Sequence, residues 1–242
     1  MQSDVTFVCN DGHRMGGVLA LPEGEGGAEG AERKRRPGVL LIHDIFGLGE
    51  EMKRVARELA EDGYAVLIPS LYDRGNKVIC VARTIQAMAK GEGQAVEDLE
   101  AARRWLAERE EVDADRLGVI GFCMGGAFTL ILATQGKYQA AAPFYGQVPE
   151  KLPRACPVVG SFGRRDGSLP GAAAKLERQL EVLGVEHDVK EYPEAGHSFY
   201  TRPENFFAEK VGPLLPLHAE YDAPAAQDAR ERVVAFFKKH LG

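Results

Sequence analysis

The sequence predicts an α/β protein: a mostly parallel β-sheet with helices on both faces, led by an N-terminal β-hairpin. Three observations predict it. Short continuous apolar runs recur along the chain, segments of helical periodicity separate them, and a tight-turn signal stands near the start. Continuous apolar runs are what strands buried on both faces require, and strands alternating with helices imply a parallel sheet.

The elements follow in order. Residues 5–9 and 15–20 flank Asn10-Asp11-Gly12, a hairpin signal. Residues 23–36 are rich in Gly and Glu and are expected to form a loop. Their basic run, Arg33-Lys34-Arg35-Arg36, sits beside Glu23, Glu25, Glu29 and Glu32 and reads as a solvated surface. Residues 38–42 form a buried strand, 51–62 a helix stopped by Gly63, and 64–68 a second buried strand ended by Pro69. Residues 95–109 read as a helix with Leu99, Ala102 and Leu106 on one face. Strand 117–120, helix 125–134, strands 140–145 and 158–162, helix 172–183, strand 185–192 and helix 225–240 complete the pattern. No repeat or linker divides the chain, so residues 1–242 are read as one domain.

Composition narrows the class. The net charge of −6 argues against a nucleic-acid or anionic-membrane partner. No apolar run approaches the length, about 18 residues, of a membrane-spanning helix. Met1-Gln2-Ser3-Asp4 has neither the basic nor the apolar region of a signal peptide. Cys9, Cys80, Cys123 and Cys156 are scattered, with no CxxC pair and no zinc spacing. No metal or other cofactor is expected, and reduced thiols fit a cytoplasmic protein. The sequence leaves the choice between a monomer and a small homo-oligomer open.

The most informative segment is Gly121-Phe122-Cys123-Met124-Gly125-Gly126, directly between a strand and a helix. It matches G-x-nucleophile-x-G with cysteine as nucleophile. A side chain held on so sharp a turn forces its neighbours two residues away into close approach, and glycine fits there. The turn lifts Sγ above the sheet, near helix N–H groups that favour a thiolate. The N–H of Met124 is placed to form half of an oxyanion hole.

A cysteine nucleophile needs a base, and in this turn's usual setting the chain order is nucleophile, acid, histidine. His197, in Gly196-His197-Ser198-Phe199 after strand 185–192, is the expected base. His13, His187, His218 and His240 lie in the hairpin, within a strand, and in or beside the C-terminal helix. Asp166, in the turn after strand 158–162, is expected to accept the Nδ1–H of His197. The second oxyanion donor should come from the loop His43-Asp44-Ile45-Phe46-Gly47, with the N–H of Ile45 as candidate. Asp44 is expected to modulate Cys123 by charge, or to cap its own loop.

With the Pro69-Ser70-Leu71-Tyr72 segment added, these motifs make the whole chain resemble the dienelactone hydrolase family of α/β-hydrolases. The resemblance implies an α/β-hydrolase fold, the triad Cys123, Asp166 and His197, and no cofactor. It implies hydrolysis of a dienelactone or a related small ester through a thioester. Members often carry Glu in an E-x-F-G pattern where this chain has Asp44, ahead of Phe46. They also hold a substrate carboxylate with arginines, for which Arg202, Arg83 and Arg74 are the candidates here. The expected function is therefore hydrolysis of small esters or lactones. A general carboxylesterase or thioesterase with the same triad, and a non-catalytic redox-sensing or ligand-binding relative, are the alternatives. Residues 200–222 are long enough for a short cap.

Overall fold

Strand β1 (Gln2–Val8) and strand β2 (Arg14–Ala20) pair antiparallel around the Asn10-Asp11-Gly12 turn. The turn closes through Cys9 N–H to His13 O at 2.8 Å, with Gly12 at φ +83°. The computed structural model describes residues 1–23, 35–203, 214 and 216–242, and within these eight strands form one sheet. The others are β3 (Arg36–Ile42), β4 (Ala65–Pro69), β5 (Val112–Phe122), β6 (Ala140–Phe144), β7 (Val158–Gly163) and β8 (His187–Tyr192). Their order is β1-β2-β4-β3-β5-β6-β7-β8. Only the β1–β2 and β2–β4 pairs are antiparallel, so the expected fold class holds.

Side chains alternate along each inner strand, and each face has its own core. Leu40 and Ile42 of β3 join one core, with Leu67 of β4 and Phe128 of helix α4 (Met124–Ala133). Helices α3 (Gln94–Ala107) and α5 (Ala172–Leu183) cover that face with Leu99, Leu106, Leu176 and Leu180. Val39 and Leu41 point the other way, toward α1 (Glu50–Glu61) and the C-terminal helix α6 (Ala223–Leu241). At the outer edge, β8 carries Asp188, Lys190 and Glu191. It is fastened to α6 by Lys190–Asp228 and Arg232–Asp188 ion pairs, both at 2.8 Å.

Three elements differ most from expectation, the first being β5, which begins at Val112 and not at 117. Strand β3 starts at Arg36, inside the segment read as loop. Helix α2 (Lys77–Lys90) was not expected at all. Its apolar residues do not form a single inward stripe, and Val78 and Ile79 are exposed. Its ends were the readable signal: Asn76 Oδ1 accepts the N–H groups of Val78 and Ile79, and Gly91 closes the helix at φ +70°. Arg33, Lys34 and residues 204–213 and 215 of the expected 200–222 cap lie outside the described residues.

Arg74 ties the turn, the β4–α2 connection and α3 together. Its guanidinium meets Asp98 at 2.7 and 2.6 Å and Asp11 at 2.7 and 3.1 Å. These two carboxylates raise the Arg74 pKa further. Asp98 is buried and also accepts Gln94 Nε2 at 3.0 Å. Removing one partner of such a pair leaves an uncompensated buried charge. Asp98→Ala is therefore expected to lower the free energy of urea unfolding by about 3 kcal/mol. Asp98→Leu combined with Arg74→Met should regain most of the loss, and a double variant no better than Asp98→Ala would refute this account.

Candidate active site

The turn between β5 and α4 is as tight as the sequence requires. A Cβ on Gly121 would stand 2.2 Å from Gly125 O, and one on Gly125 2.2 Å from Ile42 O. Cys123, between them, takes φ +55° and ψ −114°, a backbone conformation that costs on the order of 1–3 kcal/mol outside glycine. Its N–H donates to Phe144 O at 3.1 Å, and its carbonyl accepts Ala127 N–H at 3.2 Å. Elbow and helix start are thus held between the ends of β3 and β6. Cys123 is half-buried, while Cys9, Cys80 and Cys156 are buried. Burial pushes the Cys9 thiol up to about 11 and that of Cys156 to about 12.

The loops after β7 and β8 bring an acid and a base to this thiol. They meet backbone to backbone: a Cβ on Gly163 would stand 2.3 Å from Gly196 O. His197 Nδ1 lies 2.6 Å from Asp166 Oδ2, and the Cys123 thiol is close enough to act on its ring electrostatically. Asp166 Oδ1 accepts the Ser168 N–H at 3.0 Å and its hydroxyl at 2.5 Å. Burial would raise the Asp166 pKa, but the His197 and Ser168 hydrogen bonds outweigh it and hold the carboxyl below its ordinary range. Burial likewise opposes charge on His197. The hydrogen bond to Asp166 and the neighbouring Cys123 outweigh that too, and raise the imidazole above its ordinary value. The structure therefore brings Cys123, His197 and Asp166 together.

The loop after β3 lies across the elbow. The N–H of Ile45, and that of Met124 in the first turn of α4, donate no hydrogen bond among the described residues. Asp44 Oδ1 accepts the Phe46 N–H at 2.8 Å and shapes the loop. The adjoining His43 carbonyl packs against Gly125 of the elbow, where an added Cβ would stand 2.8 Å from it.

The model of the dienelactone hydrolase family matches residues 25–241. The chain belongs to that family. Curated relatives of the chain carry the provisional name carboxymethylenebutenolidase. The chain is 29% identical to that of Methylorubrum extorquens over 84% of this chain and 72% of the relative. It is 28% identical to that of Yersinia pestis over 97% and 87%. The crystal structure of a provisionally assigned dienelactone hydrolase from Klebsiella pneumoniae superposes with a TM-score of 0.74 at 26% identity, covering 98% of this chain and 99% of that one.

The arginines expected to hold a substrate carboxylate have neighbours of their own. Arg83, on α2, lines a cavity of about 400 Å³ with His13, Arg74, Gln94 and Asp98, and no triad residue borders that cavity. Arg202 stacks its guanidinium over the Tyr221 ring, 5.3 Å from the centroid, and gives its N–H to Glu51 at 2.8 Å. Phe46 is exposed beside the Ile45 N–H. Among the described residues, no group of His, Cys, Asp and Glu could hold a metal ion, and no helix is long and apolar enough to cross a membrane.

Sequence reasoning passed over His43. It is wholly buried, its Nδ1 lies 2.7 Å from Asp44 O, and its Nε2 accepts the Leu71 N–H at 3.2 Å. These partners fix a neutral ring with the proton on Nδ1, bridging the loops after β3 and β4. Burial pulls its pKa down to about 4. The folded value lies below the unfolded one, so the bridge stabilises fully above about pH 6.5 and is lost as pH falls toward 4. The stake is on the order of 3 kcal/mol. His43→Gln keeps a donor and an acceptor without a titrating ring. Its urea midpoint is expected to fall less between pH 7 and pH 4.5 than the wild type's. Parallel declines would remove His43 from the account of acid sensitivity.

Proposed function

We propose that this protein hydrolyses small carboxylic esters or lactones with Cys123 as nucleophile, His197 as general base and acid, and Asp166 as the group that orients His197. The observation that carries the reading is the 2.6 Å contact of His197 Nδ1 with Asp166 Oδ2 beside Cys123, the nucleophile strained at the head of a helix. The relatives' names, dienelactone hydrolase and carboxymethylenebutenolidase, put a lactone first among the substrates to test.

The chemistry runs in two halves. His197 takes the thiol proton while Cys123 Sγ attacks the carbonyl carbon. The N–H groups of Met124 and Ile45 receive the oxyanion. Collapse expels the alcohol oxygen, which takes the proton from His197 and leaves a thioester. In a lactone that alcohol stays tethered as the opened ring. Water then gives a proton to His197, attacks the thioester, and the thiol returns as the acid departs. Asp166, held by Ser168 and His197, keeps the Nδ1 proton in place through both halves. Phe46 is exposed beside Ile45, and the chemical step needs neither Arg83 nor Arg202.

Cys123→Ala is expected to lower kcat by about 10,000-fold or more with an unchanged fold. Cys123→Ser should recover little of it, since serine is a far weaker acid. The test is a panel of lactones, aryl esters and acyl thioesters, with stopped-flow release of a chromogenic alcohol. A burst stoichiometric with enzyme, absent in Cys123→Ala, is expected; near-wild-type turnover in that variant would falsify the proposal, and wild-type enzyme inert toward the whole panel would favour a non-catalytic role. For Asp44, the proposal is that its charge restrains the thiol. Asp44→Asn should then be alkylated faster by iodoacetamide at neutral pH. An unchanged rate would leave Asp44 as the residue that shapes the 43–47 loop through Phe46.

A further inference from the structure

Tyr145 is the most constrained residue near the site that the chemistry above does not use. It directly follows β6 and takes φ +35°, a conformation that is a marked outlier for a bulky side chain. Such strain persists only where the surroundings over-determine it. Those surroundings are on both sides. Tyr145 N–H donates to Ser161 O of β7 at 2.8 Å. The preceding residue, Phe144, gives its carbonyl to Cys123 N–H at 3.1 Å. The following residue, Gly146, touches the first turn of α4, where an added Cβ would stand 2.3 Å from Gly126 C.

The strained backbone aims the Tyr145 ring at the base. Its centroid lies 5.1 Å from that of His197, inclined at 55°, and 5.4 Å from Phe199. The side chain is fully buried. Its hydroxyl reaches Thr201 Oγ1 at 3.3 Å. Thr201 Oγ1 donates in turn to Ser198 O at 3.4 Å, so Tyr145 is the donor in the first bond. Ser198, immediately after His197, itself takes φ +58°. Ring and hydroxyl thus grip the histidine loop at two points, while the same three-residue corner grips the nucleophile.

We infer that Tyr145 is a positioning residue that fixes the distance and angle between Cys123 and His197, through a strained corner at the end of β6 that contacts both. The inference rests on the proposed nucleophile–base pair. A displacement of about 1 Å between reacting groups costs on the order of 100-fold in rate. Substrate contacts are not involved, so the effect falls on kcat and not on KM.

The experiment compares Tyr145→Leu, Tyr145→Phe, Thr201→Val and the Phe/Val double variant, with thermal melts to check folding. Tyr145→Leu is expected to lower kcat by about 100-fold with KM within about twofold. Tyr145→Phe keeps the ring but loses the hydroxyl, and should hold kcat about tenfold below wild type, well above the Leu variant. Thr201→Val should match the Phe variant, and the double variant should be no worse than either, because all three break one chain. The downfield proton resonance of His197 Nδ1–H should stay sharp in the Phe variant and broaden in the Leu variant. If Tyr145→Leu does not fold, Phe, Val and their non-additivity carry the test. Wild-type kcat in both single variants, or additive losses, overturns the inference. Full activity in Cys123→Ala overturns the proposed function and this inference with it. Loss in Cys123→Ala with no change across the Tyr145 series overturns this inference alone.

Discussion

Between β5 and α4 there is no room for one extra carbon atom. The Gly125 carbonyl occupies the place a side chain on residue 121 would need, and the Ile42 carbonyl the place one on residue 125 would need. This contact fixes how the helix meets the sheet, and the rest of the site depends on it. It sets the first turn of α4 against the ends of β3 and β6, the two strands that flank β5. From β3 comes the loop bearing Ile45, and from β6 the carbonyl that holds Cys123. A sheet with any other strand between β3, β5 and β6 would separate these groups. The topology, and not any single side chain, brings them to one place.

Two histidines near that contact show how neighbours decide charge. His43 and His197 are both sheltered from water, and burial alone would keep both neutral. His43 meets a carbonyl and an N–H, neither of which carries a full charge, and burial wins. His197 meets a buried carboxylate at 2.6 Å, and the carboxylate wins. One ring serves as a fixed brace, while the other is poised to hold a proton. Their division of labour follows from partners supplied by different strands.

How much of this the sequence reveals follows from which constraints are local. The elbow is local: steric exclusion demands glycine two residues either side of Cys123, and the chain prints it as Gly121 and Gly125. The hairpin turn and the doubly buried strands are local in the same sense, since each leaves a pattern within about ten residues. Helix α2 was not legible, because its periodicity is blurred by exposed Val78 and Ile79 and only its capping residues mark it. His43 and Tyr145 were hidden for another reason. Each acts across strands, on residues 28 and 52 positions away, and nothing in the flanking sequence encodes such a distance. Arg83 and Arg202 illustrate the converse: a residue type suited to binding a carboxylate says little until its neighbours are known.

The charged outer strand has a consequence for the molecule among its own kind. A sheet closed on neither side exposes a strand whose backbone groups can template another chain. On β8 an approaching strand would meet Asp188, Lys190 and Glu191, and two of these are already paired with α6. Pairing there would require stripping water from those charges and disturbing bonds already made. At high concentration this edge should resist the cross-chain pairing that begins fibril growth, while the end of the sheet that bears Cys123 remains free to be built from glycine and strained turns.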